Sequence, residues 1–150
     1  MNHLNQVLVV EDNLQDYVLV TQALKEAGYR FGARCIDRPE ELEEELLCLC
    51  PDLVLCDHGS AKWDSLQILG QVREFEPSLP FIVVSGGLDE FTEASLLARG
   101  ADACVSKQRL DALPDAVRRT LELHRQRQRE RVQELIRDMR ARLPAGHCAG

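Results

Sequence analysis

The chain alternates short apolar runs with longer amphipathic segments. Residues 6–10 (QVLVV) form a continuous run rich in β-branched side chains, which is typical of a strand buried on both faces of a parallel sheet. Similar runs follow along the chain. Together the predicted strands are residues 6–10, 31–36, 52–56, 80–84 and 103–105, of which the last is the weakest.

Segments with apolar residues at helical spacing separate these strands. Asp12 or Asn13 can cap the first helix and Gly28 ends it, whereas Pro39 opens the second. The predicted helices are residues 14–27, 39–50, 64–74, 88–99 and a long one from about 114 to about 143.

This alternation of strands and helices predicts βαβ units and a parallel sheet covered by helices on both faces. The expected fold is α/β, a flavodoxin-like doubly wound five-stranded sheet in the order 2-1-3-4-5, with five helices and the last extended as a tail. In this order a ligand site lies at the carboxyl ends of strands 1 and 3.

Polar side chains stand at the ends of four predicted strands. In chain order they are Glu11, Asp12, Asp57, Ser85 and Lys107. Taken singly, each residue has an ordinary interpretation as a turn former, a helix cap or a solvated side chain. Their joint position at one edge of the predicted sheet indicates a functional site.

The chemistry of this group favours phosphoryl transfer. Three clustered carboxylates repel one another unless a cation lies among them, and hard oxygen ligands suit Mg²⁺. A carboxylate such as Asp57 can accept a phosphoryl group as an aspartyl-phosphate. Mg²⁺ and Lys107 would supply positive charge, Ser85 would supply a hydroxyl donor, and Gly86 and Gly87 would allow the backbone to approach closely.

The composition fits one globular domain of 150 residues, 45% of them hydrophobic. No apolar run reaches the roughly 20 residues of a membrane span, and the N-terminus lacks a signal-peptide pattern, so a cytoplasmic protein is expected. The six cysteines contain no CxxC pair, and Cys48 and Cys50 have no nearby histidine, so a zinc site is not expected. A disulfide framework is not expected in a reducing compartment.

Charge divides the chain into two parts. Residues 1–116 carry 21 acidic and 9 basic side chains, whereas residues 117–150 carry 9 basic and 4 acidic ones. An acidic body is not expected to bind nucleic acid.

Four stretches together resemble the receiver domains of two-component response regulators, of the chemotaxis-regulator kind. They are VLVVEDN at 7–13, DLVLCD at 52–57, LPFIVVSGG at 79–87 and GADACVSK at 100–107. The resemblance covers about residues 5–125, and the combination is specific although each piece alone is weak.

The resemblance implies a role for each strand-end residue. Asp57 would be the phosphoacceptor, Ser85 the switch hydroxyl and Lys107 the partner of the phosphoryl group. The implied Mg²⁺ ligands are Glu11, Asp12, Asp57 and the backbone carbonyl of Gly59. The phosphoryl donor would be a phosphohistidine on a histidine kinase or phosphotransfer protein, and the chain would catalyse only its own phosphorylation and dephosphorylation.

Several positions depart from the family pattern. Cys104 replaces the usual aromatic three positions before the lysine, which puts the usual output surface in doubt. Ala61 replaces the usual proline, and Asp64 and Ser65 stand where a glycine usually precedes the next helix. Trp63 is expected near the site entrance, or alternatively as a packing residue at the start of the helix.

The C-terminal segment divides the chain into an expected receiver domain at 1–125 and a helical tail at 126–150, with a disordered end marked by Pro144 and Gly146. Three interpretations stay open. The tail is a dimerising coiled coil, a solvated helix or linker from a longer architecture, or a basic surface for nucleic acid, membrane or an acidic partner.

The leading hypothesis is a phosphorylation-dependent switch with output by contact with an unknown downstream protein. The alternative is a pseudo-receiver that is never phosphorylated and acts as a dimerising scaffold. A haloacid-dehalogenase-like phosphatase would need a second Asp two residues after Asp57, where this chain has Gly59. Binding of nucleic acid or membrane by the protein is not expected.

Overall fold

The computed structural model describes residues 3–144 of the chain. A five-stranded parallel sheet in the order β2-β1-β3-β4-β5 forms its centre. The strands are β1 (His3–Val10), β2 (Arg30–Ile36), β3 (Leu53–His58), β4 (Phe81–Ser85) and β5 (Ala103–Ser106). The sheet order predicted from the sequence is therefore confirmed.

Five α-helices connect and follow the strands. They are α1 (Leu14–Glu26), α2 (Leu42–Leu49), α3 (Ser65–Phe75), α4 (Glu90–Ala98) and α5 (Leu113–Ala141). Two 3-10 turns, Pro39–Glu41 and Lys107–Ala112, precede α2 and α5.

Two apolar layers sandwich the sheet. On one face, Leu46 of α2, Leu69 of α3 and Leu96 of α4 pack with the sheet residues that point to that side. On the other face, Leu24 of α1 and Val117 of α5 pack with the opposite set. The carboxyl halves of the three central strands, β1, β3 and β4, are buried on both sides, whereas the edge strand β2 alternates exposed and half-buried residues up to Ile36.

Element boundaries differ from the prediction at several ends. Strand β3 continues through Asp57 to His58, because both residues stay in the ladder with β4. Helix α2 begins at Leu42 rather than Pro39, because a 3-10 turn forms first. Helix α4 begins at Glu90, where the Asp89 side chain caps it by accepting from the backbone N–H of Thr92.

The cap of α1 decides which acidic side chain is free for the site. The Asn13 side chain accepts hydrogen bonds from the backbone N–H groups of Gln15 and Asp16, at 2.9 and 3.2 Å. Of the two candidate caps, Asn13 therefore fills this role. The Asp12 carboxylate remains available at the carboxyl end of β1.

A polar network joins the opposite end of the sheet to α5. The guanidinium of Arg73 donates to the carbonyls of Leu79 and Gly100, at 2.6 and 2.7 Å, and to Asp102 Oδ2 at 3.2 Å. Asp102 also contacts His124 Nε2 of α5 at 2.9 Å and accepts from the backbone N–H of Phe81 at 2.9 Å. This network fixes α5 against the body at His124, which is the last partly buried residue of the helix.

Beyond His124 the fifth helix leaves the body. Residues 125–144 are all exposed, and the helix ends at Ala141 rather than near 143. The expected disordered end, including Gly146, lies outside the described residues. Within residues 3–144, no helix combines the length and the apolarity needed to cross a membrane.

Candidate functional site

Three carboxylates meet at the carboxyl edge of the sheet. Glu11 and Asp12 follow β1 directly, and Asp57 is the next-to-last residue of β3, which pairs with β1. One carboxylate oxygen from each lies within 4.8 Å of the others. Glu11 and Asp57 are buried, whereas Asp12 is exposed.

Lys107 brings a single cation into this acidic group. Its Nζ lies 2.7 Å from Glu11 Oε1, 2.7 Å from Asp57 Oδ1 and 2.8 Å from Asp16 Oδ2. The residue follows β5, where the Ser106 side chain accepts from the backbone N–H of Gln108 and opens the 3-10 turn. The structure thus joins residues that are up to 96 positions apart in the sequence.

Burial makes the charges of this group costly. Burial raises the pKa of Glu11 to about 7, and the charge of Asp57 adds to this shift while Lys107 opposes it. Burial by itself would lower the pKa of Lys107, but its hydrogen bonds to Asp16, Asp57 and Glu11 raise it, so the ammonium stays charged. A bound cation would relieve the remaining repulsion among the carboxylates.

Ser85 ends β4 at the same edge, beside His58 in the sheet register. Its side chain is buried, and its hydroxyl is bonded within its own loop. Oγ donates to the Gly87 carbonyl at 2.9 Å and accepts from the Gly87 N–H at 3.1 Å. The predicted switch hydroxyl is therefore near the acidic group but engaged with the loop before α4.

The loop after β3 begins with Gly59 in the left-handed region, at φ +110°. A side chain at this position would strain the backbone. The next residue, Ser60, donates its hydroxyl to Asp12 Oδ2 at 3.0 Å. The loop is thus held against Asp12, one of the predicted metal ligands, by the residue that follows Gly59.

Trp63 lies beneath Asp57 rather than at the site entrance. Its side chain is buried in the core layer of α2, α3 and α4, and its Nε1–H donates to the Asp57 carbonyl oxygen at 2.9 Å. Ser65 Oγ lies 3.4 Å from the same carbonyl oxygen and 2.9 Å from His58 Nδ1. The entrance expectation is wrong, and the alternative of a packing residue before α3 is confirmed.

Cys104 occupies the position of the usual aromatic residue. It is half-buried and packs against the same core layer. Burial, with a smaller contribution from Glu93, raises the pKa of its thiol to about 11. A small neutral thiol therefore stands where an aromatic ring would otherwise fill the surface of β5.

Sequence reasoning missed three side chains of this site and also the bond made by a fourth, Trp63, which it had singled out. Asp16 contacts Lys107, and Ser60 contacts Asp12. Trp63 and Ser65 both donate hydrogen bonds to the backbone carbonyl of Asp57. For Asp16 a signal existed, because it is an acidic residue in the first turn of α1, directly after the acidic pair that follows β1. The other contacts depend on the path of the loop after β3, which no spacing rule gives.

The donor set fits a hard divalent cation. All three clustered side chains are carboxylates, and their oxygens are the ligands that Mg²⁺ prefers. The set contains no thiolate or imidazole, the ligands that would favour zinc. Glu11, Asp12, Asp57 and the Gly59 carbonyl are the groups that would hold such an ion.

The chain is similar in sequence to transcriptional regulatory proteins. The chain is 28% identical over 97 residues to the transcriptional regulatory protein ZraR of Klebsiella oxytoca. This match covers 63% of this chain and 21% of that protein. It is 27% identical over 104 residues to ZraR of Escherichia coli K12, covering 67% and 23%. The chain thus spans about a fifth of the length of the curated relatives it matches.

Solved structures share the fold. NtrX from Brucella abortus superimposes with a TM-score of 0.71 at 27% identity, covering 87% of this chain and 29% of that one. A CheY-like receiver domain protein from Methanospirillum hungatei JF-1 gives a TM-score of 0.71 at 20% identity, covering 83% and 98%.

The family match covers most of the chain. Residues 7–118 match the response regulator receiver domain, and this range includes every strand-end residue of the acidic group. The chain therefore belongs to the response regulator receiver domain family of two-component signalling.

Proposed function

We propose that this protein is a phosphorylation-dependent switch in which Asp57 accepts a phosphoryl group. The observation that carries the proposal is the contact of 2.7 Å between Asp57 Oδ1 and Lys107 Nζ, inside a group of three carboxylates. A nucleophilic carboxylate needs a nearby cation to offset the charge of the incoming phosphoryl oxygens. Lys107 supplies it, and Asp57 keeps a small accessible surface, at 8% exposure.

The proposed reaction is a simple transfer. A carboxylate oxygen of Asp57 forms a bond to the phosphorus of a phosphohistidine on a histidine kinase or phosphotransfer protein. The phosphorus–nitrogen bond breaks, and its electron pair returns to the imidazole of the donor, which takes up a proton. Lys107 then donates to a phosphoryl oxygen in place of one of its present carboxylate partners.

Mg²⁺ would supply further positive charge to the phosphoryl oxygens when it is bound by Glu11, Asp12, Asp57 and the Gly59 carbonyl. Ser85 would exchange its bonds to Gly87 for a bond to the phosphoryl group. The chain itself catalyses only its own phosphorylation and dephosphorylation. We place this activity in the cytoplasm, with output through contact with a downstream protein.

The test is phosphorylation with acetyl phosphate and Mg²⁺. Wild-type protein is expected to gain one acid-stable, hydroxylamine-labile phosphoryl group, and Asp57→Asn is expected to gain none. The matched control is Asp111→Asn, because Asp111 is an exposed carboxylate paired only with Arg109 at 3.5 Å among residues 3–144. Equal labelling of wild type and Asp57→Asn would contradict the proposal.

A pseudo-receiver is the second candidate, because Cys104 and Ala61 replace residues that the family pattern usually has. The two candidates differ in their response to metal. Trp63 is the only tryptophan of the chain, and it is bonded to the Asp57 backbone.

We therefore expect Mg²⁺ to change the tryptophan fluorescence of the wild type with saturation in the millimolar range. Asp12→Asn should weaken this response about tenfold or more, since it removes one charged ligand. Asp111→Asn should leave it unchanged. A fluorescence signal that does not respond to Mg²⁺ in the wild type would favour the pseudo-receiver.

A further inference from the structure

The projecting part of α5 carries an apolar face that nothing in residues 3–144 covers. Its side chains are between 42% and 60% exposed. We call this face the tail stripe; it consists of Val132, Leu135, Ile136, Met139 and Leu143. At about 3.6 residues per turn the first four positions fall on one side of the helix, and Leu143 follows two residues after the helix end at Ala141.

Arginines border the tail stripe on both sides. With the same helical spacing, Arg129 and Arg140 fall along one border and Arg131 falls along the other, where the helix ends with Arg142 as its C-cap. The acidic residues of this segment lie behind these borders; they are Glu130, Glu134 and Asp138. None of these four arginines has a carboxylate within 4.0 Å among the described residues.

This arrangement disfavours pairing of two tails. If two copies packed tail stripe against tail stripe, the arginine borders would face each other, and like charges across an interface are costly. The coiled-coil interpretation of the tail therefore conflicts with its own charge pattern. The tail stripe instead fits an apolar surface that is bordered by carboxylates.

Such a surface exists on the body of the same chain. A cavity of about 490 Å³ lies between α2 and α3; its apolar lining includes Phe75, which is 41% exposed, and the buried side chains of Leu42 and Leu46 behind it. We call it the acidic groove, because its lining also includes Glu40, Glu43 and Glu74. Within residues 3–144, none of these three carboxylates has a cationic partner within 4.0 Å.

We propose that the tail stripe of one copy docks in the acidic groove of a second copy of this chain. Apolar side chains would meet the apolar lining, and the arginine borders would meet the three glutamates. The exposed helix from residue 125 to 141 is about 25 Å long at 1.5 Å per residue, enough to cross the groove of a partner.

The contact lies between copies because of where α5 is packed. Its first turns are buried on the sheet face of α1, through Leu113 and Val117, whereas the acidic groove lies on the face of α2 and α3. The helix is continuous to Ala141, so the tail of one copy does not turn back onto its own groove. Reciprocal docking around a two-fold axis would bury the contact twice.

The test uses charge reversal in the full chain with sedimentation velocity from about 5 to 500 µM protein. The tail variant is Arg129→Glu with Arg140→Glu, and the groove variant is Glu40→Lys with Glu43→Lys. Matched controls make the same charge changes off the contact, at Arg127 and Arg137 on the back of the helix and at Glu41 and Glu44 outside the groove lining. Circular dichroism checks that each variant is folded.

We expect wild type and both controls to form a dimer. The tail variant and the groove variant should each raise the dissociation constant at least about tenfold. Mixing the two variants should restore dimers, because the acidic tail meets the basic groove and the basic tail meets the acidic groove. Higher salt should weaken the wild-type dimer.

Four results would overturn the proposal. They are a wild type that stays monomeric over the whole range, a groove variant that dimerises like wild type, a tail variant that dimerises like wild type, and a mixture of the variants that stays monomeric. The second result is the one that pairing of two tails would give, and the first is the one that docking within a single copy would give.

Discussion

Lys107→Ala is expected to lower the free energy of unfolding by about 3 kcal/mol in Mg²⁺-free buffer at pH 8. Among residues 3–144, the Lys107 ammonium is the only side-chain cation within 4.0 Å of the carboxylates of Glu11, Asp16 and Asp57. Its removal leaves two buried carboxylates close together without a counter-charge. Urea unfolding followed by tryptophan fluorescence measures the loss.

The pH dependence of this loss has a definite sign. A carboxyl group whose pKa is raised by folding contributes stability below its ordinary pKa and loses it as the pH rises through the folded value. Glu11 is such a group, with a pKa of about 7 in place of 4.5, and removing Lys107 raises it further. The deficit of Lys107→Ala should therefore be large at pH 8 and nearly vanish below about pH 4.

Two variants make the interpretation specific. Adding Glu11→Gln to Lys107→Ala should recover part of the stability, since the amide carries no charge. Lys62→Ala is the matched control, because Lys62 is half-exposed and pairs with Asp37 at 3.8 Å, so its loss should stay within about 0.5 kcal/mol. If Lys107→Ala and Lys62→Ala lower the free energy of unfolding equally, the Lys107 ammonium does not stabilise the fold through the acidic group.

Asp102→Ala is expected to cost about 3–4 kcal/mol of unfolding free energy. The carboxylate, with its side chain 11% exposed, accepts from the Phe81 N–H and contacts both Arg73 and His124. Alanine leaves a partly buried guanidinium and a backbone N–H without this acceptor. The effect should be large although the residue lies at the end of the sheet away from Asp57.

Asp102→Asn separates charge from hydrogen bonding in the same experiment. Its amide oxygen can still accept from the Phe81 N–H, so we expect it to lose less than Asp102→Ala. Asp111→Ala is the matched control at an exposed position, 77% exposed, and should stay near the wild-type value. Equal urea midpoints of unfolding for Asp102→Ala and Asp111→Ala would show that the hydrogen bonds and ion pairs of Asp102 do not stabilise the protein.

The strand-end rule explains why much of the site could be predicted. Parallel strands bring their carboxyl ends to one edge, so Glu11, Asp57 and Lys107 were expected to meet, and they do. The sheet order followed from the same alternation of apolar runs and helices. These features depend on periodicity, which a single sequence carries.

Other contacts depend on the geometry of loops and on side-chain direction. The hydrogen bond from Trp63 to the Asp57 carbonyl requires the loop after β3 to fold back under the strand, and no spacing in that loop indicates this. The cap of α1 could be narrowed only to Asp12 or Asn13, because both side chains are good caps and the local backbone decides between them. Periodicity also does not predict that the Ser85 hydroxyl is hydrogen-bonded to the backbone of Gly87.

The hydroxyl of Ser85 gives the resting protein a bias toward one arrangement of its own loop. It donates to the Gly87 carbonyl and accepts from the Gly87 N–H, and each such bond contributes about 0.5–1.5 kcal/mol. An arrangement in which the hydroxyl turns toward Asp57 must give up both, so roughly 1–3 kcal/mol separates the two before any modification. At that cost only a minor fraction of molecules adopts the second arrangement spontaneously. The two hydrogen bonds between Ser85 and Gly87 therefore set how rarely the unmodified protein populates that arrangement.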